Sequence, residues 1–485
     1  ILKNCLAKGG LLMYQEINNQ RGIALPIVLA ILVIITLLGF TAMSLSENQT
    51  LMVNRHQQSE KALYYAEAGV HRYINLLNDD RDFYKNEAND NLFENIAFES
   101  GYYSLTIIRP TDDNPVITIQ SKGWTAKNPQ ISRTIQVSIH KRGFAQNLFV
   151  TNSEKSGNDE IWWVRGDVVD GPLHTNGNIS IDGTAGTGTV GPVFKGPITY
   201  SGELTLKKGS EDFVMGNPEK VGPLIFPSPR KLHEKFEKIA EDDNSLYEGR
   251  TCIYLDGDNL KIRNKDKNIE TREIPSNQVI YVKGGNGDKW ANETANVFIS
   301  GELEGRLTIV AENDIYLTTW DPTNWTAPKK SGKKRIPQGT PTNGITYKNY
   351  NSNTSNITEI NDMLGLVAAK NVLILHYGWP KAGGVGHSSD YDVGPKNITI
   401  HAAILALGHS FGYERHNEGE KEGILTILGS ITQIKRGPVG VFSSGKSTTG
   451  YSKDYSHDTR MLHDMPPHFL EPMNSGWEIR EWKEI

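Results

Sequence analysis

Residues 23–46 read IALPIVLAILVIITLLGFTAMSLS, 24 positions in a row without a charged side chain. As a helix this run is long enough to cross the roughly 30 Å hydrocarbon layer of a bilayer. A secretory signal would have a shorter apolar run with a small-residue cleavage site behind it, and neither feature is present. Arg21 stands just before the run and Glu47 just after it, a bias that favours the N-terminus inside. Pro26 is harmless only in the first turn of a helix, where its missing N–H has no partner to lose. The helix is therefore expected to begin near Ile23.

Beyond the run, Leu63, Ala66, Val70, Tyr73 and Leu77 recur at three- and four-residue steps, the signature of one apolar stripe on a helix. Glu60, Lys61, Glu67, His71 and Arg72 fall on the other faces. One helix, apolar all round and then amphipathic, is expected to reach about Asn78 and stop at Asn78-Asp79-Asp80.

Three features now combine: a polar stretch from Met13 ending in Arg21-Gly22, an apolar run starting at once, and Ala62-Leu63-Tyr64-Tyr65-Ala66-Glu67-Ala68-Gly69. Together they resemble the N-terminal region of PilX-type minor pilins. The resemblance implies a cut by a prepilin peptidase between Gly22 and Ile23, on the cytoplasmic side, and usually methylation of the new amino terminus. It gives Ala62, Ala66, Glu67, Ala68 and Gly69 as the pilin-like helix motif. It also implies other pilin or pseudopilin subunits as partners, a single-pass inner-membrane location and a body outside the cytoplasm or at the cell surface. Major pilins carry a Glu at the fifth mature position, where this chain has Ile27. A minor, tip or anchoring role fits that departure better than bulk fibre packing. Met13 is read as the true start, with residues 1–12 an extension. Cys5 then leaves with the leader.

The rest of the chain reads as strands. Tyr102–Arg109, Val116–Lys122 and Arg133–His140 alternate apolar and polar residues, with Asp112-Asp113-Asn114-Pro115 and Lys127-Asn128-Pro129 between them. This is a small antiparallel sheet able to cover the helix stripe. From about residue 145, glycine-rich corners separate short apolar strands, and 309–317 (IVAENDIYL) is similar to 366–374 (LVAAKNVLI). Stacked strand-and-corner units predict a β-solenoid like a parallel β-helix, with an insertion over 319–362; the alternative is a β-sandwich, against which the scarcity of two-residue hairpin turns counts. One helix is expected over Arg230–Asp242, where Leu232, Phe236 and Ile239 share a face. Arg436-Gly437-Pro438-Val439-Gly440, Gly450–Tyr455, Asp458, Arg460 and Pro466-Pro467 are similar to the end of an uncharacterised domain that follows PilX-like helices. Trp477 and Trp482 are expected to finish a core edge.

With 485 residues and a net charge of −5, the chain can bury a sizeable core and carries no basic block, so nucleic acid is not an expected partner. Two cysteines, Cys5 and Cys252, exclude a disulfide framework. Gly408-His409-Ser410-Phe411-Gly412 matches the nucleophile elbow G-x-S-x-G, but no helical pattern follows it, so it reads as a turn. Asp256-Gly257-Asp258-Asn259 begins like a calcium loop and then has Lys267 where a bidentate Glu is needed. Gly284–Asp288 is one solitary unit of a calcium-binding repeat. Asp390-Tyr391-Asp392 beside Ser388 and Ser389 would either coordinate Ca²⁺ from a loop or form a solvated acidic turn, and the turn is the expectation. His457, His463 and His468, with Asp458 and Asp464, have spacings that suit neither a helix face nor a zinc finger. Trp320, Trp325, Tyr347, Tyr350 and Trp379 lie in or beside long loops, where they would either stack on a sugar or pin their own loop.

The expected class is α+β, mostly β. Residues 1–22 form the leader, 23–80 the transmembrane and pilin-like helix, 81–144 the small antiparallel sheet and 145–485 the β-helix-like body. The function expected is a type IV pilin-like, membrane-anchored surface protein for pilus assembly, adhesion or display, non-enzymatic, with no cofactor, metal or catalytic set assigned. The alternative is a membrane-anchored polysaccharide-active β-helix enzyme.

Overall fold

A single helix, α1, runs from Ala24 to Asp79 in the computed structural model. The structure describes residues 24–485 except 81–82, 111–115, 142, 157–158, 187–188, 325, 332–333, 379–391, 444–445, 463 and 475. The chain divides into two compact units. One contains α1, residues 118–137 and the last five residues; the other is built from 138–480 with 109–117. The expectation of one uninterrupted helix is met to within a residue of its predicted end. At about 1.5 Å per residue its 56 residues extend over roughly 84 Å.

In the first unit the buried face of α1 is Ala62, Tyr65, Ala66, Gly69, Val70, Tyr73 and Leu77. Leu63, placed on the stripe by periodicity, is only half-buried; Ala62 and Tyr65 take its place. The strands are Ile96–Phe98, Gly101–Ile108, Ile117–Thr125, Asn128–Lys141 and Trp477–Glu484, paired in that order. The first three pair antiparallel. Three predicted strands are thus present, each within a few residues of its expected bounds. The edge strands Ile96–Phe98 and Trp477–Glu484 were not expected, the first because it is only three residues long and the second because it lies so far away in sequence. Trp482 is 39% exposed and packs on His71, with ring centroids 6.0 Å apart.

The second unit is strand-rich, with parallel and antiparallel pairings. Phe149–Ser153, Leu173–Thr175, Ile198–Tyr200 and Glu219–Lys220 form one parallel ladder. Trp162–Arg165, Ile179–Gly186 and Leu204–Lys207 form a second. Val168–Val169, Val193–Phe194 and Asp212–Phe213 form a third. The two segments that resemble each other in sequence lie side by side in register: Ile309 against Leu366, Ala311 against Ala368, Ile315 against Val372 and Leu317 against Ile374. Antiparallel hairpins also occur, as between Thr251–Gly257 and Asn259–Asn264 and between Thr326–Ser331 and Lys334–Gln338. The region read as an insertion contains a strand of the main sheet, Gly344–Tyr347, which pairs with residues 301–303 on one side and 399–400 on the other.

Side-chain alternation along these strands has an apolar destination on both faces. Ile280, Val282, Ile309, Leu366 and Ile404 belong to one buried cluster, whereas Val279, Tyr281, Val310, Val367 and Leu405 belong to another. Strands buried on both faces lose the apolar–polar alternation and read as continuous apolar runs. The second helix, α2 (Arg230–Asp242), has the bounds predicted for it and buries Leu232, Phe236 and Ala240 in the second cluster. Gly301 marks a corner. The first part of strand Val297–Leu303 pairs with Ile315–Leu317 and its end with Ile345–Tyr347. Its φ of +117° is open only to glycine, and a Cβ there would come within 2.2 Å of the Leu255 carbonyl oxygen.

Candidate functional site: the N-terminal helix

The front half of α1 has no tertiary partner among the described residues. Leu25 is 74% exposed, Leu38 62% and Phe40 73%, and the most apolar stretch of the helix is wholly unburied. By length and composition it can cross a membrane. Its threonines are satisfied locally: Thr36 and Thr41 donate to the carbonyls of Val33 and Leu38 at 2.9 Å, and Thr50 to that of Ser46 at 2.8 Å. Such back-bonding removes the cost of a hydroxyl in an apolar medium. Pro26 falls in the first described turn, as its chemistry requires.

The second half meets the sheet through small residues. Ala62 and Ala66 are fully buried, Gly69 is buried, and Glu67 and Ala68 are half-buried. Gly123 of the sheet lies directly on the helix backbone: a Cβ at 123 would stand 2.2 Å from the Ala62 carbonyl oxygen and 2.4 Å from the Ala66 nitrogen. The two backbones approach this closely because both sides are stripped of bulk. Ser121 Oγ donates to the Ala66 carbonyl at 2.7 Å, and a Cβ on Gly69 would collide with Tyr103, Ser121 and Leu105. The small residues of the Ala62–Gly69 motif therefore act as the seat for the sheet. Periodicity missed this, because it scores size and takes Leu63 over Ala62.

Aromatics close the rest of the seat. Tyr65 covers Gly101 and pairs its hydroxyl with Ser100 Oγ at 2.9 Å. Phe98 packs edge-on to Tyr65 and Tyr103, and Tyr73, Phe83 and Phe93 form a second edge-to-face set. Arg133 grips Glu484 with two guanidinium nitrogens and donates to Ser59 Oγ at 2.7 Å, tying the chain terminus to the helix flank. That pair holds the Glu484 carboxyl below its ordinary pKa. Gly22 and Ile23, the expected processing site, lie outside the described residues.

The other motifs disperse. Gly408, His409 and Ser410 lie between strands Ile398–Ala406 and Phe411–Tyr413, Phe411 and Gly412 belong to the second strand, and a turn rather than a helix comes next. Asp256 closes a hairpin opposite Asn259 and pairs with Lys261 at 2.7 Å. Asp288 accepts from the Trp290 backbone at 3.1 Å. Ser388, Ser389 and Asp390 lie outside the described residues, and Asp392 is buried. Of the C-terminal histidines, His457 donates through Nε2 to the Ala145 carbonyl at 2.9 Å and His463 is not described. The His468 carbonyl accepts from Lys235 at 2.6 Å. Asp458 is held by Arg460 at 2.7 Å, and Asp464 is gripped by both Arg306 terminal nitrogens at 2.8 and 2.9 Å. Among the described residues these side chains do not form one ligand set.

Trp320 and Tyr347 are 4% and 2% exposed, so they pin loops and are not an open stacking platform. Trp325 and Trp379 lie outside the described residues. A polar groove of about 510 Å³ is lined by Glu302, Lys348, Tyr350, His401 and Asp454 among others. Its imidazole is already engaged: His401 Nδ1 accepts the Tyr347 N–H at 3.0 Å, and burial lowers the ring's pKa to about 4. Lys348 is paired with Glu304 at 2.5 Å.

Residues 21–71 match the PilX N-terminal family. No curated protein matches the chain. Among solved structures, the competence-associated pilin ComZ from Thermus thermophilus aligns at 13% identity, covering 88% of this chain and 97% of its own, with a TM-score of 0.26. A superposition that loose does not establish a shared fold. The matched residues span the Arg21-Gly22 junction, the apolar run and the small-residue seat, and the front of this chain thus carries a PilX-type N-terminal region.

Proposed function

We propose that the chain is a minor-pilin-like protein of a type IV pilus or related assembly, anchored in the inner membrane by residues 23–46 with its N-terminus inside. The observation that carries this reading is the division of α1. Its front is apolar on every face and bare, while its rear is buried by a sheet seated on Ala62, Ala66 and Gly69. A bare apolar rod of this size in water is a strong liability, so a bilayer or the helices of other pilin or pseudopilin subunits cover it. The PilX-type match over residues 21–71 supports the same reading.

Residues 1–22 act as the leader, 23–80 as anchor and spine, 81–144 as the sheet that seats on the spine, and 145–485 as the displayed body. Gly22 and Ile23 flank the cut made by a prepilin peptidase. The body is a β-solenoid, a reading supported by three parallel ladders whose strands recur in fixed order between residues 149 and 220. Its work is assembly, adhesion or surface display without catalysis. The engaged imidazole and lysine of the polar groove favour a binding surface over an acid–base pair.

Co-expression with a prepilin peptidase and mass analysis of the N-terminus tests this. The mature chain should begin at Ile23, and Gly22→Val should block the cut while leaving membrane insertion intact. An uncut wild-type product would overturn the assignment.

A further inference from the structure

Far from α1, the fold gathers three buried side chains that are scattered in sequence. His376 follows strand Val372–Ile374, Asp392 stands where the described chain resumes after residue 391, and Glu422 is the second residue of strand Lys421–Lys435. Backbone pairing places them. Val393 N donates to the His376 carbonyl at 2.8 Å, and Asn397 N to that of Glu422 at 2.9 Å. The ligand-capable atoms of the three lie within 4.8 Å of one another, and all three residues are buried.

The imidazole is set for ligation. His376 Nδ1 lies 2.8 Å from the Glu414 carbonyl oxygen, which can only accept, so Nδ1 carries the hydrogen and Nε2 presents its lone pair. A backbone carbonyl on the far nitrogen is the usual support of a metal-bound histidine. Nε2 has no hydrogen-bond partner among the described residues, although the side chain is 0% exposed. Asp392 Oδ1 stands 3.6 Å away, too far for a hydrogen bond. That distance is near the roughly 3.4 Å edge between two ligands of a tetrahedral zinc ion. Tyr377 and Tyr413 stack on the ring, with centroids 3.8 and 4.4 Å away, and fix its plane.

Charge and space point the same way. Glu422 accepts from the Tyr413 hydroxyl at 3.3 Å and lies 3.4 Å from Lys396 Nζ. Lys396 is half-exposed and also serves the Lys421 carbonyl at 2.8 Å and Glu420 at 3.7 Å. Asp392 and Glu422 are both buried carboxylates, and a dication held between them would offset their charge. Gly419 keeps the approach to Nε2 open: a Cβ there would stand 2.8 Å from Nε2 and 3.6 Å from Asp392 Oδ2.

We propose that His376 Nε2, Asp392 and Glu422 bind a divalent cation of the zinc class, with the space beside Gly419 as the fourth position. One imidazole and two carboxylates suit a transition dication, whereas calcium takes six to eight oxygens. The ion clips His376 and Asp392, which lie on either side of residues 379–391, to the long strand that carries Glu422. This site belongs to the folded body and stands or falls apart from leader processing.

The test uses the full chain in detergent micelles, stripped with a chelator and titrated with Zn²⁺ and with Co²⁺. The expected result is one ion per chain by native mass spectrometry, with the visible bands of four-coordinate Co²⁺ and an imidazole shell in X-ray absorption. Asp392→Asn and Glu422→Gln keep side-chain shape and should weaken Zn²⁺ binding by about tenfold or more at unchanged circular dichroism. His376→Gln should remove the imidazole shell. A folded wild-type chain that takes up no stoichiometric Zn²⁺ would overturn the proposal. So would Asn and Gln variants that bind as the wild type does, because the ion would then sit elsewhere.

Discussion

Residues 24–46 and residues 363–368 are both almost wholly apolar, yet the first run is bare and every residue of the second is buried. The difference lies in where each backbone finds its hydrogen bonds. A helix satisfies its own N–H and C=O groups, so its side chains can be left to an apolar solvent. A strand must borrow partners, and Met363–Ala368 has them from Arg306–Ala311 on one side and from residues 403–406 on the other. Polar groups follow the same rule. Thr36 and Thr41 bond one turn back along α1. In the body, by contrast, Arg436 reaches Glu154 at 3.1 Å and lies over the Trp163 ring at 3.7 Å, joining residues far apart in sequence.

That contrast breaks first at the long-range pair. Arg436→Met leaves the Glu154 carboxylate buried without its cation and should cost about 3–5 kcal/mol of body stability in urea unfolding. Adding Glu154→Leu should recover most of the loss, since no lone charge then remains. A cost below about 1 kcal/mol for the single variant would mean that the body tolerates buried charge as a membrane helix end does.

Acid comes next. His401 is buried neutral, with its pKa lowered from 6.5 to about 4. The unfolded chain binds this proton first, so the stability is fully present above pH 6.5 and is lost as pH falls towards 4. The loss is about 3 kcal/mol at order-of-magnitude level. Denaturation curves at pH 7 and pH 4.5 should differ by most of that amount, and His401→Gln should flatten the dependence. An unchanged slope in the variant would assign the acid sensitivity to other groups.

The two smallest effects sharpen the comparison within α1 itself. Ala66→Leu pushes bulk into the Gly123 contact and should destabilise the helix–sheet unit by about 1–3 kcal/mol, measured by hydrogen exchange of strand Ile117–Thr125. Leu32→Ala, on the bare half, should change the same exchange by no more than about 0.5 kcal/mol. Equal effects at both positions would mean that the front of α1 is packed within the chain after all.

Much of this was legible in the residues, but unevenly. The length of α1, the bounds of α2, three strands of the small sheet and the kinship of 309–317 with 366–374 all follow from local pattern. Each depends on neighbours three or four positions away, or on a repeat visible as text. The short edge strand Ile96–Phe98 and the seat at Ala62 were not legible, because nothing local marks a small residue as the point of closest approach. The strand Gly344–Tyr347 was hidden inside a region that reads as a loop.

The sequence alone decided that the chain has an apolar rod at its front, a PilX-type motif behind it and a body of strands, because periodicity and charge are properties of neighbours along the chain. Only the tertiary structure decided that Gly123 meets Ala62 and that His376, Asp392 and Glu422 share one buried space. Those contacts arise from strand register, and register is fixed by which distant segments pair, a choice that no local window of residues contains.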